Sequence, residues 1–105
     1  MNIASARLFL EVAEAGSLSK VAARRQTVQS HVSRQISDFE ATFGSPLFRR
    51  TGRGVTLTEL GARAALRLRS WLQETDRLTE DLRADAGKVL GEVRMGIIPS
   101  AAHPL

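Results

Sequence analysis

The sequence predicts a mainly α fold: three helices, a two-stranded hairpin and one long helix, in that order. Three observations predict it. Val28, Val32, Ile36, Phe39 and Phe43 recur at steps of four, four, three and four, which on a helix makes one apolar stripe. Leu47-Phe48 and Val55 with Leu57 flank a basic stretch carrying two glycines, Arg49-Arg50-Thr51-Gly52-Arg53-Gly54, the composition of a hairpin. From Glu59 to about Ala86 the pattern is helical again, with an apolar seam close to the four-three alternation of paired helices.

Taken in order, Ile3 to Ala15 reads as a helix with two apolar sides, Leu8, Phe9 and Val12 on one and Ile3, Ala6, Leu10 and Ala13 on the other. Such a helix is sandwiched between neighbours. Gly16 suits a left-handed C-cap and Ser17 a following N-cap, so a short helix runs from Leu18 to about Arg25. Ala22 is small where two helices must cross closely, and Gln26-Thr27 leave only a tight turn. Thr27 is the expected N-cap of the next helix, Val28 to Phe43. Two helices joined by so short a turn form a helix-turn-helix, about 18–37, with Leu18, Val21, Val32 and Ile36 as shared core.

Gly44-Ser45-Pro46 breaks the third helix, and the hairpin follows at about 47–57. Three arginines at its tip would repel one another unless something negative is nearby. Thr58 is placed to cap the long helix and Gly87 to end it, so that at roughly 1.5 Å per residue it spans about 40 Å. That is longer than so small a domain can cover by itself. The seam runs through Ala64, Leu68, Trp71, Leu78 and Leu82, broadened by Ala65 and Leu72, with a second copy as the expected cover of its distal half. Beyond Gly87, Val93, Met95 and Ile97 alternate as in a strand. One strand cannot stand alone, so 88–105 reads as a hinge and the start of a truncated domain.

The whole is then a mainly α winged helix-turn-helix, three helices plus a two-stranded wing over 1–58, followed by a long dimerisation linker helix at 59–87. Composition narrows what it does. The net charge is +4, but residues 1–69 carry 11 Lys and Arg against 5 Asp and Glu, whereas residues 70–105 carry 4 against 6. The basic head points to a polyanion, nucleic acid or an anionic membrane surface. The chain has no cysteine, hence no disulfide framework or thiolate metal site, and no metal is expected. No apolar run approaches about 18 residues, and no signal-peptide pattern opens the chain, so a cytoplasmic protein without membrane partners is expected. Two histidines, no glycine-rich phosphate loop and carboxylates without a catalytic spacing argue against an enzyme.

Opposite the apolar stripe, the third helix carries Ser30, Ser33, Arg34, Ser37 and Ala41: narrow, polar, basic and free of carboxylates. Such a face fits a groove. The run from Gly16-Ser17-Leu18-Ser19 through Ala22, Gln29, Ser33-Arg34-Gln35-Ile36, Phe39-Glu40, Phe43-Gly44, Leu47-Phe48, Arg50, Arg53 and Leu57-Thr58-Glu59-Leu60-Gly61 resembles the N-terminal DNA-binding region of LysR-type transcriptional regulators. The resemblance covers about residues 2–87, and Gly91-Glu92-Val93-Arg94-Met95-Gly96 is similar to the start of that family's effector-binding domain. It implies a bacterial regulator binding an interrupted inverted repeat of double-stranded promoter DNA as a homodimer, with higher oligomers in the full-length protein. It implies a small-molecule effector for the missing C-terminal domain, and no cofactor in this part. Departures stand at Arg25, where the family usually has leucine, and at Val28, Ser30 and His31, which replace serine, proline and a small residue. Arg25 either reaches a phosphate over its own packed stem or loosens the core.

On this reading the DNA contacts are Thr27, Gln29, Ser30, His31, Ser33, Arg34, Arg50 and Arg53. Gln29 suits adenine, Ser30 and Ser33 reach short distances, and Arg34 reads guanine or holds a phosphate. His31 is either solvated or in contact. Thr27 and the first amides of the helix suit a phosphate, Arg50 a flanking phosphate and Arg53 the minor groove. Leu68, Trp71, Leu72, Leu78 and Leu82 are assigned to dimerisation. A non-specific winged-helix nucleoid protein and a protein-interaction module are the alternatives.

Overall fold

A computed structural model describes residues 1–94, with side chains described through residue 89. The elements are α1 (Ile3–Ala15), α2 (Leu18–Arg24), α3 (Gln29–Phe43), β1 (Phe48–Thr51), β2 (Gly54–Leu57) and α4 (Glu59–Arg94). The fold is a winged helix-turn-helix followed by a long helix. No helix among the described residues is long and apolar enough to cross a membrane.

Helix ends follow local chemistry. Asn2 accepts from the Ser5 amide to start α1, Gly16 closes it in the left-handed region at φ 67°, and the Ser17 hydroxyl accepts from the Lys20 amide to start α2. The turn between α2 and α3 departs from expectation. Gln26 takes a positive φ of 58°, the Thr27 amide donates back to the Ala22 carbonyl at 2.9 Å, and Val28 becomes the N-cap with extended φ −97°, ψ 152° and no side-chain cap bond. Thr27 therefore does not cap α3: the left-handed residue uses up one position of the turn and moves the helix start along by one. Val28, as the residue outside the helix, also leaves the apolar stripe and is 64% exposed. Phe43 closes the stripe at its other end, partly exposed, with its ring edge-on to Phe39 at 5.1 Å.

The core lies among α1, α2, α3, the base of the wing and the first turns of α4. Leu8, Phe9, Val12, Val21, Val32 and Leu47 are fully buried, and no polar or charged side chain is buried among the described residues. Phe9 stacks tilted against Phe39 and Phe48 at 5.4 and 5.2 Å, joining α1 to α3 and β1. Ala65, Leu68 and Leu72 of α4 belong to the same apolar cluster.

Three polar anchors set the wing on this core. The Glu40 carboxylate, at the end of α3, accepts from the amides of Leu47 and Phe48 at 2.6 and 3.1 Å, fixing where β1 begins. Thr58 caps α4 as predicted, accepting from the Gly61 amide at 3.0 Å, and its hydroxyl donates to the Pro46 carbonyl at 2.9 Å. The Val55 amide donates to the Gly16 carbonyl at 3.0 Å, tying β2 to the α1–α2 turn. Gly54 lies so close to that turn that a Cβ would collide with the Gly16 carbonyl.

The long helix runs further than predicted. Residues up to Leu72 form one compact unit and a second begins at Gln73. In the second unit α4 continues through Gly87 to Arg94, so Gly87 is not its C-cap and Val93 lies in the helix, not in a strand. A single mid-helix glycine costs only about 1 kcal/mol. Its neighbours Ala84, Ala86 and Lys88 are strong helix formers, and no proline stands between Gly87 and Pro99. Met95, Ile97 and the remainder of the expected truncated domain lie outside the described residues.

Candidate nucleic-acid interface

Strand register decides what the wing offers. Phe48 pairs with Leu57, Arg49 with Thr56, Arg50 with Val55 and Thr51 with Gly54, leaving Gly52-Arg53 as the two-residue turn. The tip thus holds one arginine, not three. Side chains alternate along a strand, so Arg50 shares the inner face with Phe48 and Val55, while Arg49 projects to the outer face. The expected repulsion at the tip is relieved by this alternation. Arg53 is exposed at the turn, its amide donating to the Thr51 hydroxyl at 3.2 Å.

On the inner face, Arg50 meets α3. Its Nη2 donates to the Ser33 hydroxyl at 2.7 Å, a side-chain bond that joins the middle of the wing to the third helix. Ser33 is half-buried, and Gln29, Ser30, His31 and Arg34 are exposed around it on α3. Gln29 stands four residues before Ser33, one turn away on the same side. The structure thereby brings Gln29, Ser30, Ser33 and Arg50 into one polar surface, with Arg34 next along the chain. Thr27 is half-buried in the turn below, and Arg53 projects from the wing's far end.

A cleft of about 180 Å³ between α2, α3 and the wing is lined by Ser17, Ser19, Gln29, Arg50 and Thr51. Ser17, Ser19 and Thr51 are candidates that sequence reasoning missed as contacts. The Val55 to Gly16 hydrogen bond carries the α1–α2 turn to the wing, and nothing in linear order signals that approach. A larger open groove of about 410 Å³, lined by Asn2, Leu8, Arg25, Asp38 and Phe39, lies elsewhere. Arg25 pairs with α1: Nε and Nη2 both reach Glu11 Oε1, at 2.8 and 2.7 Å. Its position as C-cap of α2, not inside the helix, turns it towards α1 and spares the core.

The dimerisation candidates divide. Leu68 and Leu72 are 7% and 6% exposed within the core of the first unit, so they are not open to a second copy. Helical periodicity put Leu68 in the seam and Leu72 beside it, but the head needs an apolar face of α4 for its own closure. Trp71 in that unit, and Leu78 and Leu82 in the second, are 38%, 57% and 57% exposed.

The model of the bacterial regulatory helix-turn-helix protein, lysR family, matches residues 3–62. The chain belongs to that family. Among curated relatives, it is 38% identical over 90 residues to the HTH-type transcriptional regulator DgdR of Burkholderia cepacia, covering 86% of this chain and 30% of that one. It is 34% identical over 108 residues to YofA of Bacillus velezensis, covering 97% and 35%. The chain thus spans about a third of the length of these two relatives. Among solved structures, it resembles the CbnR DNA-binding domain in complex with DNA at 32% identity and a TM-score of 0.76, covering 82% of this chain and 99% of that one. It also resembles the BenM DNA-binding domain in complex with catB site 1 DNA at 27% identity and a TM-score of 0.78, covering 84% and 95%.

Proposed function

We propose that this chain is the DNA-reading and pairing end of a LysR-type transcriptional regulator that binds an interrupted inverted repeat as a dimer. The bond from Arg50 to Ser33 carries the reading, because it makes α3 and the wing one continuous polar, basic surface. A helix of α3's width fits the major groove, where every base pair offers a distinct donor and acceptor pattern. Gln29 suits adenine, Ser30 and Ser33 reach near base edges, and Arg34 takes guanine or a phosphate. Thr27 and the first amides of α3, which no side chain caps, suit a phosphate. His31 is exposed beside them at the entry to the groove. Arg53 enters the flanking minor groove, where narrow A·T-rich sequence attracts arginine. The DNA-bound CbnR and BenM domains, similar to this chain over most of their length, support the same partner.

Two copies joined through Trp71, Leu78 and Leu82 present two such surfaces at a fixed separation. The remaining two thirds of a relative's length is where we place the small-molecule effector site, and the cytoplasm, with the chromosome, is where such a regulator works. The chain's task is recognition of DNA, without catalytic chemistry. Selection from a random duplex pool at fixed salt tests it. Two opposed half-sites with one spacing, poorly competed by unrelated DNA, are expected. Salt-sensitive binding that enriches no sequence would make it a non-specific winged-helix protein, and no binding at all an interaction module.

A further inference from the structure

We propose that Arg50 is a positioning residue for base readout. By holding the Ser33 oxygen it sets that hydroxyl as a donor, so each half-site must present an acceptor at one base: a purine N7, guanine O6 or thymine O4. The proposal rests on the DNA-reading surface described above and specifies its chemistry.

A serine hydroxyl ordinarily takes either role, rotating its proton to suit the partner. At Ser33 the choice is made within the protein. Its oxygen accepts from Arg50 Nη2 at 2.7 Å, a charge-assisted bond, and the guanidinium beside it opposes a second donor. The cytosine N4 and adenine N6 amino groups are such donors. The hydroxyl proton stays uncommitted and is polarised by the bond its oxygen accepts. Gln29, one turn back on the same side, offers a carbonyl as well as an amide, so base amino groups have an acceptor beside Ser33 but not at it.

Arg50 is itself held in place before DNA arrives. Strand register puts it on the inner face opposite Val55, and it shares a crevice with Leu18, Ile36 and Phe48. Arg50 also lines the cleft it shares with Ser17, Ser19 and Thr51, which gives its guanidinium a second candidate partner, a DNA phosphate. One arginine therefore serves two tasks that differ in their signature. A phosphate contact strengthens binding to every sequence, whereas positioning Ser33 changes preference at one base.

Selection from a random duplex pool with the 105-residue chain, Ser33→Ala, Arg50→Met and the double variant separates them. Ser33 and Arg50 lie outside the buried core, and thermal melts check that each variant folds. Ser33→Ala is expected to lower the preference for an acceptor-bearing base at one position of each half-site by roughly two- to tenfold, the range of a single hydrogen bond. Arg50→Met is expected to flatten the same position, and the double variant to flatten it no further. Uniformly weaker binding by Arg50→Met with that position intact would overturn the proposal and leave Arg50 as a phosphate contact only. So would a Ser33→Ala profile identical to the parent's at every position. A parent chain that enriches no sequence would overturn the reading of the site itself.

Discussion

Gln26 is the one residue other than glycine with positive φ among the described residues, and it sits at the pivot of the helix-turn-helix. A side chain there costs about 1–2 kcal/mol, against about 0.5–1 kcal/mol of extra backbone entropy that a glycine would lose. Gln26→Gly is therefore expected to stabilise the fold by about 0.5 kcal/mol, read as a raised urea midpoint at unchanged slope; a lowered midpoint would show that the amide side chain holds the turn. Arg34 lies on the exposed face of α3. Exposed beside the Ser33 pair, it is expected to cost about 1–3 kcal/mol of DNA affinity when replaced by alanine, by fluorescence titration at fixed salt. Unchanged affinity would remove it from the interface. The polar residues of this face were legible because helical period sorts them away from Val32, Ile36 and Phe39. The cap was not, because a left-handed glutamine has no sequence signal and only its presence moves the start of α3 from Val28 to Gln29.

At the scale of elements, the hairpin was legible as a hairpin but not in register. Glycines mark where a turn can form, yet Gly52 and Gly54 permit more than one. Pairing of Thr51 with Gly54 is fixed by contacts distant in sequence: Glu40 holding the start of β1, and Gly16 accepting from Val55. That register separates the arginines by role, since period two sends Arg50 to α3 and Arg49 away from it. Arg53 alone occupies the turn. Its replacement by alanine is expected to reduce the slope of log affinity against log salt by about one, the signature of one lost phosphate-groove charge. A slope equal to the parent's would place Arg53 outside the groove.

Across the whole molecule, α4 serves two ends that the sequence writes in one seam. Leu68 and Leu72 complete the core of the first unit, whereas Leu78 and Leu82 in the second are exposed. Leu72→Ala is expected to destabilise the head by about 2–5 kcal/mol. Leu78→Asp is expected to leave that melt unchanged and to yield monomers in sedimentation, and a persistent dimer would move the pairing surface elsewhere. Element order, the apolar stripe of α3, the Ser17 and Thr58 caps and the family are all legible in residue type at short spacing. Which leucines of α4 face the core, which arginine meets Ser33 and the pairing of Arg25 with Glu11 emerge only from contacts between elements. Those outcomes depend on which elements touch, and periodicity gives each element a buried face without saying what it will be buried against.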